Sequence, residues 1–238
     1  DEFQATPDIF LNSNYNNKRI YSFKSSGNFI YIATGFGIVV YDLVRLETRS
    51  SCIKIGDNNS TIPITKIEIF QGRLYAITPK GIYSIALNAP NFADATSWVK
   101  STGSNGLPNL KSNTMAANAK YLYCDVKDTL FRYDGTNWQI FDHPSLVFNT
   151  IKYMAGTDTA VAVVSAQGKA FSITHLDSVY DRFAYSVNAA FPTFNGFGVW
   201  IADQIHGLTI SADFYLITSP EKNPTNNCQR IGVGHGEL

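Results

Sequence analysis

Short apolar runs of five or six residues, rich in β-branched and aromatic side chains, recur along this chain between Gly-, Asn-, Asp- and Ser-rich turns. Runs of that length, bounded that way, predict strands packed on both faces rather than helices. Five of them align: Phe29-Ile30-Tyr31-Ile32-Ala33-Thr34, Arg73-Leu74-Tyr75-Ala76-Ile77-Thr78, Tyr121-Leu122-Tyr123-Cys124-Asp125-Val126, Ala160-Val161-Ala162-Val163-Val164-Ser165 and Gly198-Val199-Trp200-Ile201-Ala202-Asp203. Their third positions fall at 31, 75, 123, 162 and 200, a degenerate period near 42. Each run leads through a short turn into a second strand: Gly37–Asp42, Gly81–Ala86, Thr129–Asp134, Lys169–Thr174 and Gly207–Ser211. Gly37, Gly81, Gly168 and Gly207 stand at or just before these second strands, where a tight hairpin calls for positive φ.

Further alternating runs lie upstream at Ile20–Lys24, Ile64–Phe70 and Ile151–Gly156, and downstream at Thr48–Ile55 and Trp138–Phe141. The last follows Asp134-Gly135-Thr136-Asn137, a hairpin signal. Four antiparallel strands every forty-odd residues predict an all-β chain, a β-propeller of about five four-stranded blades. A β-sandwich also has short strands and turns, but it gives no reason for one two-strand pattern to recur five times. The expected division is a single propeller domain over 1–238. Residues 1–19 form an N-terminal extension or a closing strand (Asp8–Leu11), and the blades lie roughly at 20–60, 61–110, 111–145, 146–190 and 191–222. Residues 223–238 start a sixth, because Gly236-Glu237-Leu238 aligns with Gly72-Arg73-Leu74. A sixth copy broken off at its recurrent strand reads as a piece of a larger propeller. Five blades plus a composite sixth is the other reading. At most a turn of helix is expected, at Asp94–Lys100.

Composition narrows the class further. The 238 residues carry 19 Lys+Arg against 19 Asp+Glu, so the net charge is zero, which argues against a dedicated nucleic-acid binder. Charged residues are 16% and aromatic residues 13% of the chain, and there are 20 Asn, a balance suited to strands and turns. The least polar stretch, Phe29–Tyr41, is broken by Thr34, Gly35 and Gly37 and is too short for a membrane-spanning helix. Cys52, Cys124 and Cys228 lie far apart, with no CxxC pair; buried free thiols are the simple expectation, with one disulfide and a spare thiol as the alternative.

Candidate chemistry is sparse. No GxSxG elbow, HExxH, P-loop or helix-opening GxGxxG occurs, and Gly232-Val233-Gly234-His235-Gly236 reads as a turn. The histidines are His143, His175, His206 and His235, each in or beside a predicted connection. His175 with Asp177, and His235 with Glu237, have the i, i+2 spacing that would put both side chains on one strand face, but neither pair has a third ligand. Asp142 and His143 are adjacent, which on a strand sends them to opposite faces. Gly56-Asp57-Asn58-Asn59-Ser60 has part of a calcium loop's composition without the closing Glu. No metal or cofactor is therefore expected, and no catalytic residue is assigned. Of the aromatics, Tyr31, Tyr75, Tyr123 and Trp200 fit blade-to-blade contacts. Trp98 and Trp138 fit edge strands, and Phe92, Tyr180 and Phe194 are loop aromatics able to form a binding surface.

The stretch Tyr31-Ile32-Ala33-Thr34-Gly35-Phe36-Gly37-Ile38-Val39-Val40-Tyr41-Asp42 resembles the two-component regulator propeller repeat, an aromatic-Ile-Ala-Thr strand, a glycine turn and an apolar-aromatic-Asp strand. That repeat builds periplasmic sensor regions of hybrid histidine kinases in Bacteroidetes. The opening through Leu87, with Asn223–Leu238, resembles more closely the PorZ-like two-propeller surface proteins of the type IX secretion system. Thr129 in place of a strand-opening glycine, and Ala162 in place of the aromatic, depart from the repeat. The resemblance implies a non-enzymatic, extracytoplasmic propeller, in the periplasm or at the cell surface. It would be a protein and glycan recognition scaffold in type IX secretion and cargo attachment, with a sortase-like protein or lipopolysaccharide as partner. The alternative it implies is an oligosaccharide-sensing propeller of a hybrid two-component kinase. A propeller-borne lyase or glycosidase, the third reading, would need carboxylates or histidines gathered at a channel mouth. The family carries no catalytic residues onto these positions.

Overall fold

The computed structural model describes residues 17–55, 61–101, 105–144, 150–183, 187–192, 198–203, 207–212 and 215–218, with backbone alone from residue 181 onward. Among the described residues twenty strands form five four-stranded antiparallel sheets, each a meander of consecutive strands. The first contains β1 (Ile20–Ser26), β2 (Phe29–Thr34), β3 (Gly37–Asp42) and β4 (Glu47–Cys52). The second contains β5 (Lys66–Phe70), β6 (Arg73–Thr78), β7 (Gly81–Ala86) and the two-residue β8 (Val99–Lys100). Next come β9 (Met115–Ala117), β10 (Leu122–Val126), β11 (Thr129–Tyr133) and β12 (Trp138–Ile140). The fourth sheet is β13 (Ile151–Gly156), β14 (Ala160–Ser165), β15 (Ala170–Thr174) and β16 (Val179–Phe183). The fifth is β17 (Val187–Pro192), β18 (Gly198–Asp203), β19 (Gly207–Ala212) and β20 (Tyr215–Thr218). This is the blade architecture of a β-propeller. Residues 95–97 make a single 3-10 turn whose first N–H groups are capped by Asp94, and no α-helix occurs among the described residues.

Two compact units divide the chain at residues 113 and 114. In the first, Tyr31, Ala33, Ile38 and Val40 of one sheet meet Leu74, Ala76, Tyr83 and Ile85 of the next, with Trp98 closing the end. The opposite face of the first sheet is apolar as well, with Ile32 and Val39 against Phe36 and Ile53. Middle strands buried on both faces explain why their sequences run apolar without alternation. In the second unit, Tyr123, Leu130 and Phe141 of the third sheet pack on Val161, Val163 and Ile173 of the fourth. The recurrent aromatics Tyr31 and Tyr123 thus each enter the core shared with the following sheet.

The repeat's threonine and glycine have a joint structural role. Thr34 and Gly37, like Thr78 and Gly81, pair across two-residue hairpin loops. The Thr34 hydroxyl donates to the Gly37 carbonyl at 2.9 Å and accepts from the Phe36 N–H; Thr78 does the same with Gly81, at 2.8 Å, and Lys80. Gly37 has φ 143° and Gly81 φ 118°, and a Cβ on Gly37 would overlap the Cys52 carbonyl oxygen. Where the third copy has Val126 and Thr129 instead, the turn moves its positive φ to Lys127 (47°) and Asp128 (63°), the primed hairpin that matches strand twist.

Candidate functional site

The position opposite the recurrent aromatic on the third strand of a sheet is Val40, Ser84 or Arg132 in the first three sheets. Arg132 is the outlier, and a charged cluster is built around it. Its guanidinium lies 4.7 Å from the Tyr121 ring and 5.1 Å from the Phe141 ring, and Nη1 donates to Asp177 at 3.0 Å. Lys120 lies 4.8 Å over Tyr121 and reaches the other Asp177 oxygen at 3.5 Å. Tyr123 is edge-on to both Tyr121 and Phe141. Beneath them the Asn118 Oδ1 accepts the Lys120 and Tyr121 N–H groups, closing the β9–β10 turn.

The chemistry of this cluster is that of a clamp. Two cations share one carboxylate, and rings flank the guanidinium, which favours a planar, weakly hydrated cation. The Tyr123 hydroxyl is driven far above the ordinary phenol range, first by burial and then by the Asp177 charge, which favours its protonated form. Asp177 itself stands at φ 64° in the β15–β16 turn.

The i, i+2 expectation for His175 and Asp177 fails here for a geometric reason. Both lie in that turn, where strand alternation does not apply. The His175 Nδ1 faces the Thr159 carbonyl at 3.0 Å while Asp177 turns to Arg132. His143 stacks on Phe141 at 6.5 Å. Among the described residues no three His, Cys, Asp or Glu side chains gather as a metal site. His206, His235, Cys228, Phe194, the 56–60 turn, the 232–236 segment, Asp8–Leu11 and the start of a sixth copy lie outside the described residues, as does the Trp200 side chain.

Cys52 and Cys124 are buried thiols that form no disulfide among the described residues, and burial pushes the Cys52 thiol up to about 11. Phe92 is not a free loop aromatic. It sits 5.8 Å from Tyr31 and 5.4 Å from Trp98, whose indole N–H donates to the Phe92 carbonyl. Tyr180 belongs to strand β16, and Trp138 is buried and stacked on Tyr133. No helix among the described residues is long and apolar enough to cross a membrane.

A second site lies at the β3–β4 hairpin. The Asp42 Oδ1 accepts the Val44 and Arg45 N–H groups at 2.9 and 3.0 Å, and the Leu43 N–H donates to the Asn28 carbonyl. Those backbone hydrogen bonds, the Arg45 one foremost, hold the Asp42 carboxyl below its usual range. Behind the turn is an open groove of about 380 Å³ lined by Phe29, Asp42, Arg45, Glu47, Thr48 and Arg49. The Arg49 guanidinium lies over the Phe29 ring at 4.4 Å, and Arg45 approaches Glu47 at 3.8 Å. Sequence reasoning passed over both sites. Arg132 had a readable signal, a charge where the aligned copies have Val or Ser; the groove had none, since it depends on which side chains stack.

Comparison with known proteins agrees with the repeat. Residues 1–99 match the family described as the type IX secretion PorZ N-terminal β-propeller domain. No curated protein matches the chain. Among solved structures, PorZ of Porphyromonas gingivalis, a bacterial surface component of the type IX secretion system, superposes with a TM-score of 0.72 at 14% identity, over 92% of this chain and 28% of that one. The extracellular domain of the hybrid two-component system BT4673 of B. thetaiotaomicron gives 0.57 at 18% identity, over 84% of this chain and 27% of that one. Human WBSCR16 gives 0.61 at 10% identity, over 85% and 67% respectively. At these identities the likeness establishes the propeller fold. The chain spans under a third of the length of the first two structures.

Proposed function

We propose that this chain is part of a non-enzymatic, extracytoplasmic propeller that recognises protein or glycan partners in type IX secretion and in the attachment of cargo to the cell surface. The observation that supports this best is the match of residues 1–99 to the PorZ N-terminal propeller, joined to a structural likeness to PorZ over most of the chain. Rigid sheets presenting turns of differing charge suit recognition: the Asp42–Arg49 hairpin and the Lys120–Arg132–Asp177 cluster offer ion pairing and stacking. A sortase-like protein or lipopolysaccharide would be the partner, and the spans 20–60, 61–110, 111–145, 146–190 and 191–222 would each be one blade. The test is deletion of the gene in its own bacterium. Cargo retained in the periplasm or shed unattached supports the reading, and unchanged attachment overturns it.

The second reading, an oligosaccharide-sensing propeller of a hybrid two-component system, draws on the likeness to the BT4673 extracellular domain. The complete reading frame separates the two: a membrane span and kinase mark the sensor, a second propeller and terminal β-sandwich the secretion component.

A further inference from the structure

The four-residue connection of the β3–β4 hairpin is Leu43-Val44-Arg45-Leu46, and its apolar side chains are 43%, 69% and 65% exposed. Nothing in the turn's own geometry asks for them. The β11–β12 hairpin uses the same device, an aspartate Oδ1 accepting the N–H groups two and three residues on, and builds it from Asp134-Gly135-Thr136-Asn137. Leu46 even stands at φ 56°, a conformation that Asn or Gly adopts with less strain than Leu. An anchored turn that displays three aliphatic side chains against both hydration and backbone preference is a contact surface.

We propose that this hairpin docks on a phosphate-bearing lipid surface, Leu43, Val44 and Leu46 entering the interfacial layer and Arg45 and Arg49 meeting headgroup phosphates. Protruding Leu and Val fit a deformable lipid interface better than a protein hot spot, where Leu and Val are under-represented. Charge complementarity points the same way. Arg49 is held on the Phe29 face and makes no hydrogen bond or ion pair among the described residues, so its guanidinium fork is open to an oxyanion. Arg45 is highly exposed and only loosely paired with Glu47 at 3.8 Å. The open groove beside them, about 380 Å³, also carries the carboxylates of Asp42 and Glu47, but Asp42 is turned to the Val44 and Arg45 N–H groups and Glu47 to Arg45, so the phosphate-facing side is that of Arg49. This surface is separate from the family likeness and stands whether or not the secretion reading does.

The test is co-sedimentation of the whole chain with vesicles of phosphatidylcholine, alone or mixed with phosphatidylglycerol. The wild-type chain binds the mixed vesicles, and added salt weakens the binding. Val44→Ser with Leu46→Asn lowers the affinity by about tenfold or more while the melting temperature holds or rises, because Asn suits the Leu46 backbone. Arg49→Gln removes about half of the salt dependence, and Arg45→Gln with Arg49→Gln removes most of it. A wild-type chain that ignores both vesicles, or variants that bind as well as it does, overturn the proposal. So does a chain that instead self-associates through the turn, with the association lost in Val44→Ser, which would assign this surface to a second copy.

Discussion

Lys24 and Glu68 occupy the same register position in successive sheets, opposite Tyr31 and Tyr75, and meet as an ion pair of 2.6 Å between β1 and β5. The Glu68 side chain is 5% exposed and its second oxygen has no hydrogen-bond partner, whereas Lys24 is 31% exposed. Removing the cation alone strands a buried carboxylate. Lys24→Met therefore lowers stability by about 2–3 kcal/mol, while Lys24→Met with Glu68→Leu recovers most of it. Urea unfolding of the two singles and the double gives the coupling directly.

Gly37 is bound by two constraints, positive φ and contact with the Cys52 carbonyl; Gly72, at φ 70°, has only the first, with open space where a Cβ would go. Alanine at Gly37 is expected to cost about 3 kcal/mol or more, and alanine at Gly72 about 1–2 kcal/mol. Thermal unfolding of the pair separates steric from conformational cost.

The Lys127-Asp128 hairpin holds two ordinary residues at φ 47° and 63°. Asn-Gly is the sequence this turn prefers. Lys127→Asn with Asp128→Gly is expected to raise stability by about 1 kcal/mol, read as a higher denaturation midpoint at unchanged m-value.

The repeat made the sheets legible, because strands buried on both faces leave long apolar runs and each tight turn demands its Thr, Gly or Asp. The short strands were harder to see. Met115–Ala117 pairs with β10 although its two alanines carry little strand signal, and Val99–Lys100 is fixed only by its partner Tyr83-Ser84. Side-chain clusters were least legible. Phe92 reads as a loop residue, yet it closes the core between Tyr31 and Trp98 because the chain folds back there. Arg132 and Asp177 are 45 residues apart and meet only through the juxtaposition of two sheets.

Acid should loosen the turns before the cores. Asp42 and Asp134 each accept two backbone N–H groups and Asp94 accepts the Thr96 N–H and hydroxyl, and those bonds hold all three carboxyls below their usual range. A depressed folded value means the stabilisation is complete above the unfolded pKa, about 4, and disappears as pH falls through the lower folded one. Asp42→Asn and Asp134→Asn should each flatten the fall in melting temperature between pH 5 and 2. An unchanged slope in both variants would mean other carboxylates govern acid unfolding.

The last strands of the second and third sheets have a consequence for how the protein behaves in a crowd. β8 has two residues and β12 three, and β4, though six long, alternates Glu47, Arg49 and Ser51 outward. A free sheet margin is a template on which a foreign strand can grow. Here that margin offers almost no continuous backbone, or else backbone screened by charge. A chain so rich in strand-forming sequence is thereby shielded, along these three borders, from the intermolecular ladders that end in fibrils.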